Sequence, residues 1–357
     1  MDLAKDRAGL AFVALLGQGR PGPEHLWSPE QAVGMKRVQH IAWPIIGLGA
    51  VAVSFWLLAK ELHGLSLSSL REAIGSISAG RWILAIASTL LAYIALAWYD
   101  RIALLHLGRR ISWRFVGLAS FTAYAIAHNI GASVLSGAVI RYRAYSTKGL
   151  SIGEVGALVA FCSFTFGLGA ATLGGVLLLI HPELVERYDS APVWLGRAGG
   201  LVLIAVPSLY VIGSLLHFRP FRLGSFEFVY PRPWVAARQL LAGPLELIGA
   251  AGIIFFALPA AANPGFIVVL GVFLASFSLA LVSHAPGGLG VLEFAFLEAM
   301  PDAPQANVIA ALLVFRLLYL ILPFMFAIGV VLGFERHRWR AVVPLTGDAS
   351  HAVGDND

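Results

Sequence analysis

Six stretches of this chain, 41–58, 82–99, 155–180, 198–216, 235–258 and 308–334, each run for 18 residues or more with almost no ionisable side chain. A helix needs roughly 20 apolar residues to cross about 30 Å of hydrocarbon. A lone segment in lipid has to satisfy its backbone N–H and C=O groups internally, and the helix does so. The fold class that follows is an all-α polytopic membrane protein with about six full transmembrane helices. Composition agrees: 13% of the residues are charged, about half the ~25% of a soluble domain. The net charge of +5 is then a statement about loop sidedness rather than about nucleic acid. The single cysteine, Cys162, lies inside an apolar run, so no disulfide framework and no Cys-based metal site is expected.

Between these runs lie two shorter elements that resemble each other. Residues 118–131 and 274–287 align without gaps and agree at Leu, Ala, Ser, Phe, His and Gly, with Thr122 opposite Ser278 and Ile126 opposite Val282. Each is an apolar run that reaches a histidine, His128 or His284, and then breaks at glycine, Gly131 or Gly287. The elements span about 115–144 and 266–299. An arm of about 14 residues makes only ~21 Å of helix, too short for the hydrocarbon core. Each element therefore reads as a re-entrant hairpin, tolerated at depth where protein or a wet cavity covers the irregular backbone.

Charge supports this topology. With both elements as hairpins, loops on the N-terminal side hold 16 Lys and Arg against 5 on the other side. Basic loops stay in the cytoplasm, so both termini are expected there. The first hairpin then enters from the cytoplasmic side and the second from the other. Two similar interrupted segments in opposite orientation form an inverted-topology repeat, a pointer to a transport site.

The remaining organisation is simple. Residues 1–40 read as a polar tail, disordered or part of an over-extended start. Residues 41–335 form the integral membrane domain, and 336–357 a basic, then polar, cytoplasmic tail. Leu62–Arg81 has the spacing of an amphipathic interfacial helix. Ser151 and Glu154 have the form of a capping box that opens the next span.

Ionisable groups at bilayer depth are costly and need partners. Glu246 lies mid-way in the fifth span and Arg316 in the sixth; His128 and Asn129 lie at the first break, His284 at the second, and Glu293 just beyond it. One reading is a polar cavity where the hairpin tips meet, with Arg316 holding an anionic group and Glu246 or Glu293 a cationic one. The other is a buried structural pair between Arg316 and one carboxylate, with the histidines as polar residues of a helix break. Arg141 and Arg143 read either as ligands for lipid phosphate, which arginine grips bidentately, or as positive-inside anchors.

Other chemistry is thin. The chain has no Walker loop and no His-Glu-x-x-His, and Gly287 to Gly290 follow no strand, so they are not a dinucleotide fingerprint. No metal, no cofactor and no enzymatic activity is expected.

The stretch from His128 through Arg141, Tyr142 and Arg143 to Ser146, followed by Gly149 and Glu154, resembles the bacterial lysylphosphatidylglycerol synthase transmembrane regions. These are the membrane halves of multiple peptide resistance factors, which also have stand-alone relatives. Ser283-His-Ala-Pro-Gly-Gly-Leu-Gly-Val-Leu-Glu293 and Phe315, Arg316, Tyr319 and Pro323 resemble later motifs of the same family. In two-part members the membrane half flips aminoacylated phosphatidylglycerol and a separate domain makes it. The resemblance implies phospholipid translocation across the bacterial inner membrane, here without a synthase domain. A separately encoded lipid aminoacyltransferase is then an expected partner. A small-solute or ion transporter, or a non-transporting partner of such a synthase, are the competing readings.

Overall fold

The computed structural model describes residues 67–130, 133–189, 191–218, 221–223, 226–228, 230–282 and 290–342. The expected span 41–58, the tail 1–40 and the second break with His284 lie outside these residues. The described chain is helical apart from two three-residue strands, β1 (Phe221–Leu223) and β2 (Phe226–Phe228), which pair antiparallel. Among the described residues, five helices are long and apolar enough to cross a membrane: α2 (Ala79–His106), α5 (Ile152–Ile180), α6 (Val193–Leu215), α7 (Pro233–Ala257) and the interrupted helix Gln305–Phe334. They match the second to sixth apolar runs. The last is α10 (Gln305–Phe315), a π-helical segment (Arg316–Ile321) and α11 (Leu322–Val342) in succession. Ile83, Leu90 and Ile94 on α2 and Val202 and Leu209 on α6 face outward and are more than half exposed, an apolar surface suited to lipid.

Within the expected amphipathic segment Leu62–Arg81, the described helix is Leu67–Gly75 (α1). It ends three residues before α2 begins and buries Leu70 and Ala73 against Ile309 and Ala310 of α10. Its amphipathic face is taken up by protein.

The core is α7, which buries residues on every turn from Val235 to Ala257. Lipid tails are as apolar as leucine, so helices in a membrane associate through close packing of small residues. A Cβ on Gly243 of α7 would stand 2.6 Å from the Cα of Gly169 on α5, and one on Gly249 would stand 2.8 Å from the Ala92 nitrogen on α2. Where α5 and α6 cross, Gly175 and Gly200 meet in the same way. These approaches admit no larger residue without moving a helix.

The two repeated elements are pairs of helices: α3 (Trp113–Ile130) with α4 (Ser133–Tyr145), and α8 (Phe266–Val282) with α9 (Val291–Ala299). The arms are unequal, with 18 and 13 residues in one pair and 17 and 9 in the other. At about 26–27 Å the longer arms nearly match a bilayer core; an arm near 21 Å is found only in α4, at about 20 Å, and α9 is shorter still, at about 14 Å. In the first pair the outer ends meet, with the Phe115 and Tyr145 rings 6.0 Å apart and Lys148 over Phe115 at 4.9 Å. They sit where α5 begins, as Arg109 bonds Glu154 of its first turn. The outer ends of the second pair sit where α5 finishes. A Cβ on Gly271 of α8 would meet Leu184 in the turn after α5, and Arg187 of the same region donates to the Ala299 carbonyl that closes α9. The pairs thus approach from opposite ends of a 29-residue helix.

Candidate functional site

Both approaches end at the break in the last long helix. Pro323 has no backbone N–H to offer the carbonyls one turn earlier, and the helix widens to a π-turn over Arg316–Ile321. Wide turns of this kind recur at functional sites. The carbonyls exposed there are taken by side chains: Tyr93 of α2 donates its hydroxyl to the Tyr319 carbonyl at 2.9 Å. Asn129, next to the first break, donates its Nδ2 to the Leu320 carbonyl at 3.1 Å and to Ala125 of its own helix at 2.8 Å. Buried backbone acceptors are thereby satisfied, and the inner end of the first pair is tied to the π-turn.

The second pair is tied to the same turn by charge. Glu293 lies in the first turn of α9, and its Oε2 accepts the Gly290 N–H at 2.9 Å, closing the helix start. Its Oε1 accepts Nε of Arg316 at 2.6 Å and pairs with Nη2 of the same guanidinium. Arg316 and Glu293 are only 4% and 2% exposed. Breaking a pair this deep by removing one partner costs about 3–5 kcal/mol, because the other charge stays behind.

Tyr319, one turn beyond Arg316, organises the middle of the site. Its hydroxyl donates to Glu246 Oε1 at 2.6 Å, and its ring stacks on His128 at 5.2 Å and on Phe315 at 5.1 Å. Glu246 comes from α7 and is buried; its Oε2 has no hydrogen-bond partner among the described residues, and neither has Nδ1 of His128. His128 also faces Tyr124, whose ring lies 4.3 Å below the Arg141 guanidinium.

Arg141 belongs to a second buried cluster. It forks onto Asp100 of α2, with Nη2 at 2.9 Å from Oδ1 and Nε at 3.1 Å from Oδ2, while the Tyr145 hydroxyl donates to Oδ2 at 2.8 Å. The Cys162 thiol lies 3.4 Å from Oδ1. Arg143, two residues on, is half-buried. Of the residues singled out in sequence, the structure brings Arg316, Glu293, Glu246, His128 and Asn129 around one π-turn. Arg141 and Arg143 stand apart from it.

The described side chains at the π-turn pack against one another; the two glycine breaks, where the polar cavity is expected, lie outside the described residues. Sequence reasoning passed over Asp100, Tyr93 and the role of Tyr319. The apolar run 82–99 stops one residue short of Asp100, whereas α2 continues to His106 and carries Asp100 inside. A signal was present: Asp100 is the one acidic residue between Glu72 and Glu154, in a stretch rich in arginine.

The fold and this site define a class: polytopic helical membrane proteins whose last span is broken at a charged turn where two helix pairs converge. The chain belongs to the lysylphosphatidylglycerol synthase TM-region family, whose profile matches residues 45–327. It is 28% identical over 291 residues to the Synechocystis sp. "Uncharacterized protein slr0712", covering 81% of this chain and 90% of that one. It is 28% identical over 256 residues to the Escherichia coli K12 "Inner membrane protein YbhN", covering 70% of this chain and 79% of that one.

Proposed function

We propose that this protein moves a phospholipid between the leaflets of the bacterial inner membrane, with the two helix pairs acting as re-entrant hairpins of an inverted repeat. The observation that carries this reading is the buried Arg316–Glu293 pair at the π-turn, reached from both ends of the bundle, with Glu246 one residue contact away through Tyr319. A phospholipid head group offers what such a site exchanges: a phosphate for the guanidinium and, in an aminolipid, an ammonium for a carboxylate. Opening the pair to a head group replaces one set of charge contacts by another, so neither partner is left bare in a low-dielectric interior. The acyl chains stay in the bilayer throughout. The basic loops face the cytoplasm in this proposal, consistent with their 16 to 5 excess, and the inner membrane is the location in the name of the Escherichia coli relative. A separate lipid aminoacyltransferase is the natural supplier where the cargo is aminoacylated.

The test is inversion of acyl-labelled phospholipids in proteoliposomes, read by chemical quenching of the outer leaflet. Arg316→Ala should abolish inversion. Arg316→Met combined with Glu293→Gln removes both charges and should restore folding stability without restoring inversion. Inversion at the wild-type rate in the double variant would reduce the pair to a structural role and sink the proposal.

A further inference from the structure

Four carboxyl side chains are buried among the described residues: Asp100, Glu154, Glu246 and Glu293. Three sit on an arginine: Asp100 on Arg141, Glu154 on Arg109 and Glu293 on Arg316. Glu246 sits instead on the Tyr319 hydroxyl, through Oε1, and its Oε2 is buried without a hydrogen-bond partner among the described residues. Among the described residues, the titratable groups that surround it are phenols. Tyr93 and Tyr99 face it from α2 and Tyr319 from the π-turn, with His128 of α3 stacked behind Tyr319. On the other elements packed against α7, Cys162 of α5 is turned to Asp100 and Tyr210 of α6 to Gln239. Helix α8 has no titratable residue, and Arg316 is engaged with Glu293.

An ionised carboxylate without a counter-charge is heavily penalised in such surroundings, and it is stabilised by gaining either a proton or a cation. Oε2 is the place for each, and it cannot hold both. We infer that Glu246 is an exchange site at which a proton and the ammonium of an aminolipid head group compete, so that the lipid moves against protons. The inference rests on the proposed lipid translocation and adds its coupling ion and its preference for a cationic head group. Loading forms an O–H bond at Oε2. Unloading breaks it, the proton passing to water on the side to which the site is open while the ammonium takes its place beside the carboxylate. One proton exchanged per lipid would accumulate lipid about tenfold per pH unit, equivalent to ~1.4 kcal/mol.

The experiment has two arms. In proteoliposomes, acyl-labelled phosphatidylethanolamine should equilibrate toward the acidic compartment when a pH step is imposed, and reversing the step should reverse the bias. Acyl-labelled phosphatidylglycerol, which lacks an ammonium, should show no bias. In weakly buffered detergent, adding phosphatidylethanolamine to the wild-type protein should release about one proton per chain, and phosphatidylglycerol none. Glu246→Gln should abolish the release and Glu246→Asp retain it. The wild-type contrast between the two lipids decides the matter even where a variant fails to fold. Lipid movement indifferent to the pH step, with no proton release, would overturn the inference and leave translocation standing. A protein that moves no lipid at all would overturn the proposed function, while the detergent arm still decides whether Glu246 exchanges protons for ammonium.

Discussion

Glu154 and Glu293 do the same local job in very different places. Each lies in the first turn of a helix and accepts a backbone N–H three residues earlier, from Ser151 at 2.8 Å or Gly290 at 2.9 Å. Each gives its other oxygen to an arginine, Arg109 at 2.8 Å or Arg316 at 2.6 Å. At the rim of the bundle, the Arg109 side chain is 42% exposed and Glu154 10%, so water is a ready alternative partner for the guanidinium, while the Ser151 N–H and hydroxyl hold the carboxylate. At the π-turn, Arg316 is 5% exposed and Glu293 3% as side chains. The contrast teaches that the motif alone carries little energetic information. A solvated pair is worth about 0–1 kcal/mol, whereas a buried one makes each partner depend on the other.

The largest expected effect tests the buried side of this contrast. Arg316→Ala should destabilise the protein by about 3–5 kcal/mol, seen as a large fall in unfolding temperature in detergent together with loss of lipid inversion. Next comes the pair that the first helix pair makes elsewhere. Asp100→Asn leaves the Arg141 guanidinium with a weakened, neutral partner and should cost somewhat less, still above ~2 kcal/mol, by the same measurement. If it is neutral, Arg141 is not held by Asp100 alone. Tyr319→Phe removes a donor from Glu246 but no packing volume, and should cost roughly 1–3 kcal/mol; retention of full inversion in this variant would detach Tyr319 from transport. At the exposed end, Arg109→Ala should cost no more than about 1 kcal/mol and leave inversion unchanged. An Arg109→Ala penalty equal to that of Arg316→Ala would show that burial is not what separates the two pairs.

The repeated motif told where to look, and physical reasons explain how far it reached. Histidine, asparagine and glycine at 128, 129 and 131 stop an apolar helix in sequence, and the structure uses Asn129 to bind the Leu320 carbonyl. Pro323 announces a break in the last span, yet which carbonyls it frees, and that Tyr93 answers one of them, depends on α2 lying alongside. Asp100 was hidden because a charge beside Trp98 and Tyr99 looks like the end of a span, and only packing against Arg141 and Tyr145 shows that the helix goes on.

Hydrophobic run length and the scarcity of charge determined by themselves that this chain is a bundle of membrane helices, because a helix is how a lone segment buries its backbone in lipid. The same local rules set the two interruptions and the Ser151–Glu154 cap. Which carboxylate meets which arginine was decided by tertiary structure alone. Arg316 had Glu246 and Glu293 both within reach of a sequence argument, and the fold gave it Glu293 while leaving Glu246 to a tyrosine. Pairing between distant residues follows from the rotation and depth of packed helices. In this bundle those are set by glycine contacts such as Gly169 against Gly243, which no single segment contains.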